Sequence, residues 1–243
     1  MRTIRYQAIA DALRDSIRRG TLAPGRMLPS EAELSAQHGV SRVTIRRALD
    51  VLRAEGLLDA RQGLGWFVAS APIRQSLGEL GTIEEQLAAS GSTPERRVLS
   101  FAFGRAPARV AEVLGADEVL EVRRLNLADG EPFAVVTVWC PASLAQHLSR
   151  ADVERSPFYE LLDVTIGGAT QTIGAAAASA EEAELLGVPA GAPVLCCERV
   201  TEEQSGNAVL VSVHVFPAHR TEFVVHLART APSIAPTGLR LVE

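Results

Sequence analysis

Three arginines lie between apolar residues at helical spacing in the stretch GVSRVTIRRAL, residues 39–49. Arg42, Arg46 and Arg47 each carry a planar guanidinium group, which can form paired hydrogen bonds with a guanine edge or a phosphate. Ser41 stands where a helix N-cap is expected, and the free amides of a helix N-terminus favour a phosphate. This stretch therefore has the chemistry of a helix that reads DNA. The alternative is a solvated surface helix on which arginines happen to cluster.

Charge is unevenly distributed along the 243 residues, whose formal net charge is −5. Residues 1–70 contain 11 arginines and 7 acidic residues, a net charge of +4, whereas the remainder carries −9. A positive field confined to one end favours a nucleic-acid partner at that end. No stretch has the length and hydropathy of a membrane helix or the apolar core of a signal peptide, so the sequence predicts a cytoplasmic protein without membrane contact.

Three predicted helices and a hairpin would position the arginines. Residues 6–20 have apolar side chains four apart, and residues 30–39 open with the capping box Ser30-x-x-Glu33 and end at a glycine. The third helix would bury a stripe of Ile45, Ala48, Leu49 and Leu52. The stretch LLDARQGLGWFVA then predicts two short strands joined at Gly63-Leu64-Gly65. This order is that of a winged helix-turn-helix.

Residues 6–68, from YQAIADALRDSIRRG through GVSRVTIRRALDVLRAEG to RQGLGWFV, closely resemble the DNA-binding domain of GntR-type bacterial transcription regulators. The resemblance implies DNA contacts by Ser41, Arg42, Thr44 and Arg46, and a wing at Gly63 and Gly65 that enters the minor groove. The predicted DNA-binding set is completed by Ser30, Glu31 and Arg47, the last as a phosphate contact or a solvated side chain. Many relatives carry arginine where this chain has Ala32, so one family contact is either missing here or supplied by another residue.

Beyond residue 80 the chain alternates strand-like and helix-like stretches. Strands are predicted in RVLSFAFGRA, VLEVRRLNLADGEPFAVVTVWC, PVLCCERVTEEQSGNAVLVSVHVFP and TEFVVHL. Helices are predicted in IEEQLAASG, PARVAEVLG, SPFYELLD and SAEEAELLG. Hairpins with helices between them indicate an α+β domain on an antiparallel sheet. We predict a DNA-binding domain at 1–69, a linker at 70–80 and a second domain at 81–243. The three cysteines are interpreted as core thiols.

Residues 76–228 resemble the effector-binding UTRA domain of the HutC subfamily, through RVLSFAFGRAPARVAEVLG, RRLNLADGEPFAV, EEAELLGVPAGAPVLCCERV and VSVHVFPAHRTEF. The resemblance implies a fold similar to chorismate lyase, a homodimer, and a small acidic or phosphorylated metabolite bound between sheet and helices. The chain departs from amino-sugar-phosphate relatives at Asn126, Glu84 and Val136, which stand in place of arginine, serine and glutamate. Because a carboxylate at Glu84 would repel a phosphate, we expect a smaller or less charged effector.

Six polar residues remain for effector recognition: Arg124, Asn126, Tyr159, Ser212, His214 and Arg220. Arg124 lies in an apolar strand pair and needs an acidic partner, either the effector or an internal one such as Glu131 or Glu198. His214 shares a strand face with Ser212, and its alternative role is a hydrogen-bonded histidine at the sheet edge. Arg220 either contacts the effector or anchors a loop.

Together these patterns predict a sequence-specific transcriptional repressor that needs no cofactor and is not an enzyme. Its partners would be operator DNA with an inverted repeat, an anionic effector and a second copy of the chain. Two alternatives stay open. One is an enzyme of chorismate-lyase-like fold tethered to a DNA-binding module, although no nucleophile elbow or metalloprotease motif occurs. The other is a metal-responsive regulator that uses His214 and His219.

Overall fold

The computed structural model describes residues 5–61, 63–70, 72–78 and 80–227. Three helices form the first part of the chain: α1 (Arg5–Arg18), α2 (Glu31–His38) and α3 (Arg42–Ala54). Ser30 and Glu33 form the predicted capping box at the start of α2, and Gly39 ends this helix in the left-handed conformation at φ 62°. Ser41 caps α3 by accepting a hydrogen bond from the Thr44 amide.

The core of this first unit is the predicted apolar stripe of α3. Ile45, Ala48, Leu49 and Leu52 are fully buried, and they pack with Ile9 and Leu13 of α1 and with Leu34 of α2. Burying about four such side chains contributes several kcal/mol, and it points the polar side of α3 outward. The strands β1 (Leu58–Arg61) and β2 (Gly65–Val68) follow as an antiparallel hairpin. The predicted helix order and wing are therefore confirmed.

A short strand lies inside the segment predicted as a linker. Strand β3 (Ile73–Ser76) lies there and pairs in parallel with the last strand of the described chain, Thr221–Val224. The following elements are α4 (Ile83–Ala89), β4 (Pro94–Arg105), α5 (Ala108–Leu114), β5 (Glu118–Ala128), β6 (Glu131–Pro141), α6 (Ala142–Ala145), α7 (Arg150–Arg155), α8 (Phe158–Leu161), β7 (Ile166–Ala177), α9 (Ala180–Leu186), β8 (Pro193–Glu203), β9 (Ala208–Pro217) and β10 (Thr221–Val224).

Six of these strands form one antiparallel sheet in the order β4-β5-β6-β9-β8-β7. The predicted turns LADGEP and EEQSGN join β5 to β6 and β8 to β9. At the first turn Asp129 adopts φ 54° and Gly130 φ 80°, which a hairpin of this kind requires. Strand β9 lies between β6 and β8, so His214 occupies the middle of the sheet. Its predicted place at a sheet edge is therefore wrong.

Each face of the sheet has its own core. Helices α4, α6, α7 and α8 cover one face, where Leu87, Val153 and Phe158 pack on Phe133 and Phe216. Helices α5 and α9 cover the other face, in two smaller clusters. Because side chains alternate along a strand, Arg124 and Asn126 of β5 share the first face with the buried Leu120 and Val122. The same alternation places Ser212 and His214 of β9 on that face.

Strand β7 is an element that the sequence patterns missed. Its sequence, IGGATQTIGAAA, has no alternation of apolar and polar residues and is rich in glycine and alanine. The strand lies at the edge of the sheet and is largely exposed. Without a buried face there is no period-2 pattern to detect. The short helices α6 and α7 were missed as well, because one or two turns contain too few residues for a helical period.

Candidate DNA-binding surface and effector pocket

The exposed side of α3 carries the predicted DNA-reading residues. Arg42, Val43, Arg46 and Arg47 are exposed, and Thr44 is half-buried. Val43 is 79% exposed, an unusual position for a large apolar side chain. The Ser41 and Thr44 hydroxyl groups hydrogen-bond each other at 2.9 Å beside the amide end of the helix. An exposed apolar side chain can contact the methyl group of a thymine, and the arginines beside it can bind guanine edges and phosphates.

Arg46 is held by Glu31, the first residue of α2. Its Nε donates to Glu31 Oε1 at 2.9 Å and its Nη2 to Oε2 at 2.7 Å. Trp66 on the wing also donates to Oε1, at 3.3 Å. The hydrogen bond from Arg46 lowers the pKa of Glu31. Glu31 therefore joins α2, α3 and the wing, and it orients an arginine side chain that remains 66% exposed.

The other predicted DNA-binding residues have different surroundings. Arg47 lies over the Tyr6 ring, 4.5 Å from its centroid, a cation–π contact that the sequence patterns did not anticipate. Ser30 is engaged in capping α2 through Glu33. Gly63 and Gly65 are exposed at the wing, with φ of 77° and 118°. Only glycine adopts φ near 118° without strain, which explains why the wing turns at these residues.

A cavity of about 470 Å³, including the space at its open mouth, lies on the face of the sheet that α4, α6, α7 and α8 cover. Apolar residues of β6, α4 and α8 form part of its wall. Its polar lining residues are Thr82, Glu84, Arg124, Tyr159, Arg199, Thr201, Ser212 and His214. Four of the six predicted effector residues are thus brought together: Arg124, Tyr159, Ser212 and His214.

Arg124 is the most unusual side chain of this cavity. It is 8% exposed, and its Nε and Nη1 have no hydrogen-bond partner among the described residues. Its guanidinium carbon lies 5.9 Å from the centroid of the Phe158 ring. Burial, reinforced by the nearby Arg96, lowers the pKa of Arg124 to about 10, so the side chain is still charged at neutral pH. The internal partners considered from sequence are engaged elsewhere, since Glu131 faces Arg26 and Glu198 binds Arg109.

Glu84, on the cavity wall, is hydrogen-bonded to two neighbouring side chains. Its Oε1 accepts hydrogen bonds from Arg96 Nε and Asn126 Nδ2, each at 2.7 Å. Burial opposes ionisation of Glu84, but the charges of Arg96 and Arg124 outweigh it and lower the pKa of this carboxyl group. Two arginines therefore flank the carboxylate, and their positive charges offset part of its repulsion of an anion. Asn126 lies behind Glu84 rather than on the cavity surface.

Arg199 of β8 is a charged cavity residue that the sequence analysis did not predict. It donates to Gln171 Oε1 at 2.8 Å, and its Nη1 donates to the Gly81 carbonyl at 3.1 Å and to the Tyr159 hydroxyl at 3.2 Å. It adds a second guanidinium to the cavity. One signal was available, because Arg199 follows the buried Cys197 by two residues and so shares its strand face.

Ser212 and His214 form a neutral pair at the cavity floor. The Ser212 hydroxyl and His214 Nε2 are 2.9 Å apart. Burial, with the charges of Arg199 and Arg124, lowers the pKa of His214 to about 3. A neutral imidazole and a hydroxyl can both donate and accept hydrogen bonds. The cavity therefore combines two cations, one held carboxylate and an uncharged polar pair.

Arg220 lies elsewhere, at the contact between the two units. It is buried, its Nη1 donates to the Pro132 carbonyl at 2.8 Å, and its guanidinium packs against Gly25. Its neighbour His219 lies against Phe67 of the wing, with ring centroids 4.4 Å apart. These contacts favour the loop-anchoring alternative for Arg220. His214 and His219 thus have different neighbours, and no three potential metal ligands gather within the described ranges.

None of the helices in the described ranges has the length and apolar character needed to cross a membrane. Comparison with known families finds two matches. Residues 5–68 match the family described as bacterial regulatory proteins, gntR family, and residues 89–222 match the UTRA domain. The first match covers the winged helix-turn-helix, and the second covers the six-stranded sheet and the cavity residues from Arg124 to His214, but not the cavity residues 82–84.

Similar proteins are transcriptional regulators. The chain is 39% identical to the HTH-type transcriptional regulator Rv0792c of Mycobacterium tuberculosis, over 97% of this chain and 89% of that protein. It is 33% identical to the HTH-type transcriptional repressor NagR of Bacillus subtilis, over 92% and 95%. Among solved structures, PhnF from Mycobacterium smegmatis matches with a TM-score of 0.60 and 27% identity, over 93% of this chain and all of that chain.

Proposed function

This chain belongs to the GntR family of bacterial regulatory proteins and carries a UTRA domain, and from that premise we propose that a small acidic metabolite, bound beside Arg124, controls the affinity of the protein for operator DNA. The α3 surface and the wing would read the operator in the bacterial cytoplasm. The relative NagR is a repressor, which supports repression here too. An allosteric effect of this kind requires that the metabolite bind two arrangements of the protein with different affinity.

The DNA-binding half of this proposal rests on α3. Arg42, Arg46 and Arg47 project from the helix around the exposed Val43, with the capped amide end beside them. Helix-turn-helix proteins that bind DNA as dimers contact two half-sites whose arrangement matches their own two-fold symmetry. We therefore propose a homodimer on an inverted repeat, with residues 1–69 as the DNA-binding unit, 70–80 as the linker and 81–243 as the effector unit.

The single observation that carries the effector half is the buried guanidinium of Arg124 without partners for Nε and Nη1 in the described chain. A buried donor left unpaired costs about 1–3 kcal/mol, and more when it is charged. A ligand that pairs with these donors would remove that cost. An anionic group placed against Arg124, with Arg199 near, would accept charge-assisted hydrogen bonds from this buried guanidinium.

The test is a thermal melt of the full chain with a panel of sugar phosphates, phosphonates, inorganic phosphate and carboxylic acids. A ligand at 100 times its dissociation constant adds about 2.7 kcal/mol to stability, or several degrees in melting temperature. We expect at least one acid to shift the melt of the wild type and of the surface control Arg109→Met, and to leave Arg124→Met unshifted.

Arg124→Met also yields a result without any ligand. Because methionine fills similar space without a buried charge, we expect the unliganded variant to melt at or above the wild-type temperature. Destabilisation of the unliganded variant would mean that Arg124 serves the fold. If no anion shifts the wild type, the effector proposal fails.

A further inference from the structure

Glu84 is a carboxylate on the wall of a cavity whose other charged lining residues are arginines. A site shaped only for an anion gains nothing from a negative charge at its surface, because that charge repels the ligand. The chain nevertheless places Glu84 there, and its side chain is 23% accessible. Its presence requires either a purely structural role or a role toward the ligand.

The hydrogen bonds of Glu84 distinguish its two oxygens. Arg96 and Asn126 both donate to Oε1, and the ion pair between Arg96 and Glu84 also falls on Oε1. Neither Arg96 nor Asn126 lines the cavity, so these bonds hold the carboxylate from behind. Arg96 is itself fixed by the carbonyls of Val153 and Ser156, at 3.1 and 2.8 Å. The bonds from Arg96 and Asn126 thus occupy Oε1, which leaves Oε2 as the oxygen that a ligand would meet.

We propose that the effector carries, besides the anionic group for Arg124, a hydroxyl or ammonium group that donates a hydrogen bond to Glu84. The effector class is then a small hydroxy acid or amino acid rather than a bare anion. This inference rests on the proposed function, since it concerns the same cavity. It gives the ligand two recognition groups, an anionic group at Arg124 and a hydrogen-bond donor at Glu84.

The polar pair at the floor fits such a ligand. Ser212 and His214 are uncharged and hydrogen-bonded to each other, so they can accept or donate without favouring either end. Arg199 donates hydrogen bonds to Gln171, Gly81 and Tyr159. These bonds fix the position of its guanidinium in the cavity wall. In this arrangement Glu84 selects among acids, because an acid without a donor leaves the carboxylate unpaired.

The experiment is isothermal titration of the full chain with succinate, malate and aspartate, and with propionate, lactate and alanine. Within each set the carboxylates are the same, and one carbon bears hydrogen, hydroxyl or amino. We expect the hydroxy or amino member to bind roughly tenfold or more tightly than the donor-free member, the size of one charge-assisted hydrogen bond. The member that binds best identifies hydroxyl or ammonium as the donor.

Glu84→Gln then tests whether Glu84 is the cause. Glutamine retains a carbonyl that can accept from Arg96 and Asn126, but it loses the charge. In Glu84→Gln we expect the ratio of the affinity for an amino acid to that for its donor-free acid to fall to about twofold or less. The same ratio for hydroxy acids should become smaller than in the wild type. Donor-free acids should bind to the variant as tightly as to the wild type, or more tightly. Glu198→Gln is the matched control, because it removes a carboxylate of the same sheet that pairs with Arg109; its preference should equal that of the wild type.

The outcomes separate this inference from the proposed function. If donor-free acids bind as tightly as their partners, or if Glu84→Gln weakens every acid equally, Glu84 is structural and this inference is overturned while the anion site stands. If no acid in either set binds up to millimolar concentration although the thermal panel finds an anion, the hydroxy-acid and amino-acid class is wrong. If nothing binds in either experiment, the proposed function itself fails.

Discussion

At the scale of single residues, the pairing of Arg46 with Glu31 bears most directly on DNA recognition. An arginine that reads guanine must present its fork in one orientation, and a carboxylate behind it supplies that orientation. In this chain the two bonds at 2.9 and 2.7 Å do so before DNA arrives. We therefore propose that Glu31 serves DNA binding by positioning Arg46.

We predict that Arg46→Ala loses roughly 1–3 kcal/mol of specific binding, confined to one base pair in each half-site. The operator can be selected from random duplexes with the wild-type protein, and affinity measured by fluorescence anisotropy. Arg109→Ala is a matched control, since Arg109 is also an exposed arginine paired with a glutamate. Equal affinity of Arg46→Ala and wild type for the operator would remove Arg46 from the groove.

At the scale of elements, the wing depends on the conformation of its glycines. Gly65 has φ 118°, where a β-branched residue is strained whatever space surrounds it. Residues close to it in the chain, Trp66 and Phe67, join the wing to Glu31 and to His219. A change in the turn therefore affects both the DNA-facing tip and the base of the hairpin.

We predict that Gly65→Val destabilises the DNA-binding unit by roughly 1–3 kcal/mol and weakens operator binding, without changing the affinity of the cavity for its acid. Gly104→Val is the control, because Gly104 lies in strand β4 with open space around it and no positive φ. Thermal melts and anisotropy measure both variants. A wild-type melt and wild-type DNA affinity for Gly65→Val would show that this turn is not required.

At the scale of the whole molecule, strand β9 connects the cavity to the DNA-binding unit. Ser212 and His214 line the cavity, and the turn that follows β9 places His219 against Phe67 and Arg220 against Gly25. Arg26 and Glu131 add an ion pair across the same contact, at 3.7 Å. A ligand that shifts β9 would alter these contacts, which is a physical route for coupling between the two sites.

We predict that Arg220→Ala reduces the factor by which the acid changes operator affinity. The affinity of the cavity for the acid should stay within about twofold of the wild-type value, because Arg220 does not line the cavity. Anisotropy titrations with and without the acid found in the thermal panel give this factor. Arg105→Ala, an exposed arginine at the end of β4, should leave it unchanged. An unaltered factor in Arg220→Ala would exclude the contact as the route of coupling.

The sequence by itself determined the winged helix-turn-helix, the caps at Ser30 and Ser41, and most strands of the sheet. These features depend on neighbours within a few residues, through helical period, alternation and turn chemistry. It also nominated Arg124, because a charge in an apolar strand demands a partner wherever the strand packs. The exposed edge strand β7 was missed because no burial pattern marks it.

Only the tertiary structure decided which polar residues meet. Glu84, Arg124, Arg199 and His214 come from α4, β5, β8 and β9, and strand order and register bring them to one cavity. The same packing separated Arg220 from that cavity, paired Arg46 with Glu31 and seated Arg47 on Tyr6. Such contacts join residues from 15 positions apart, as for Arg46 and Glu31, to more than a hundred, as for Arg199 and Gly81. No local pattern encodes them, because they arise from how whole elements pack.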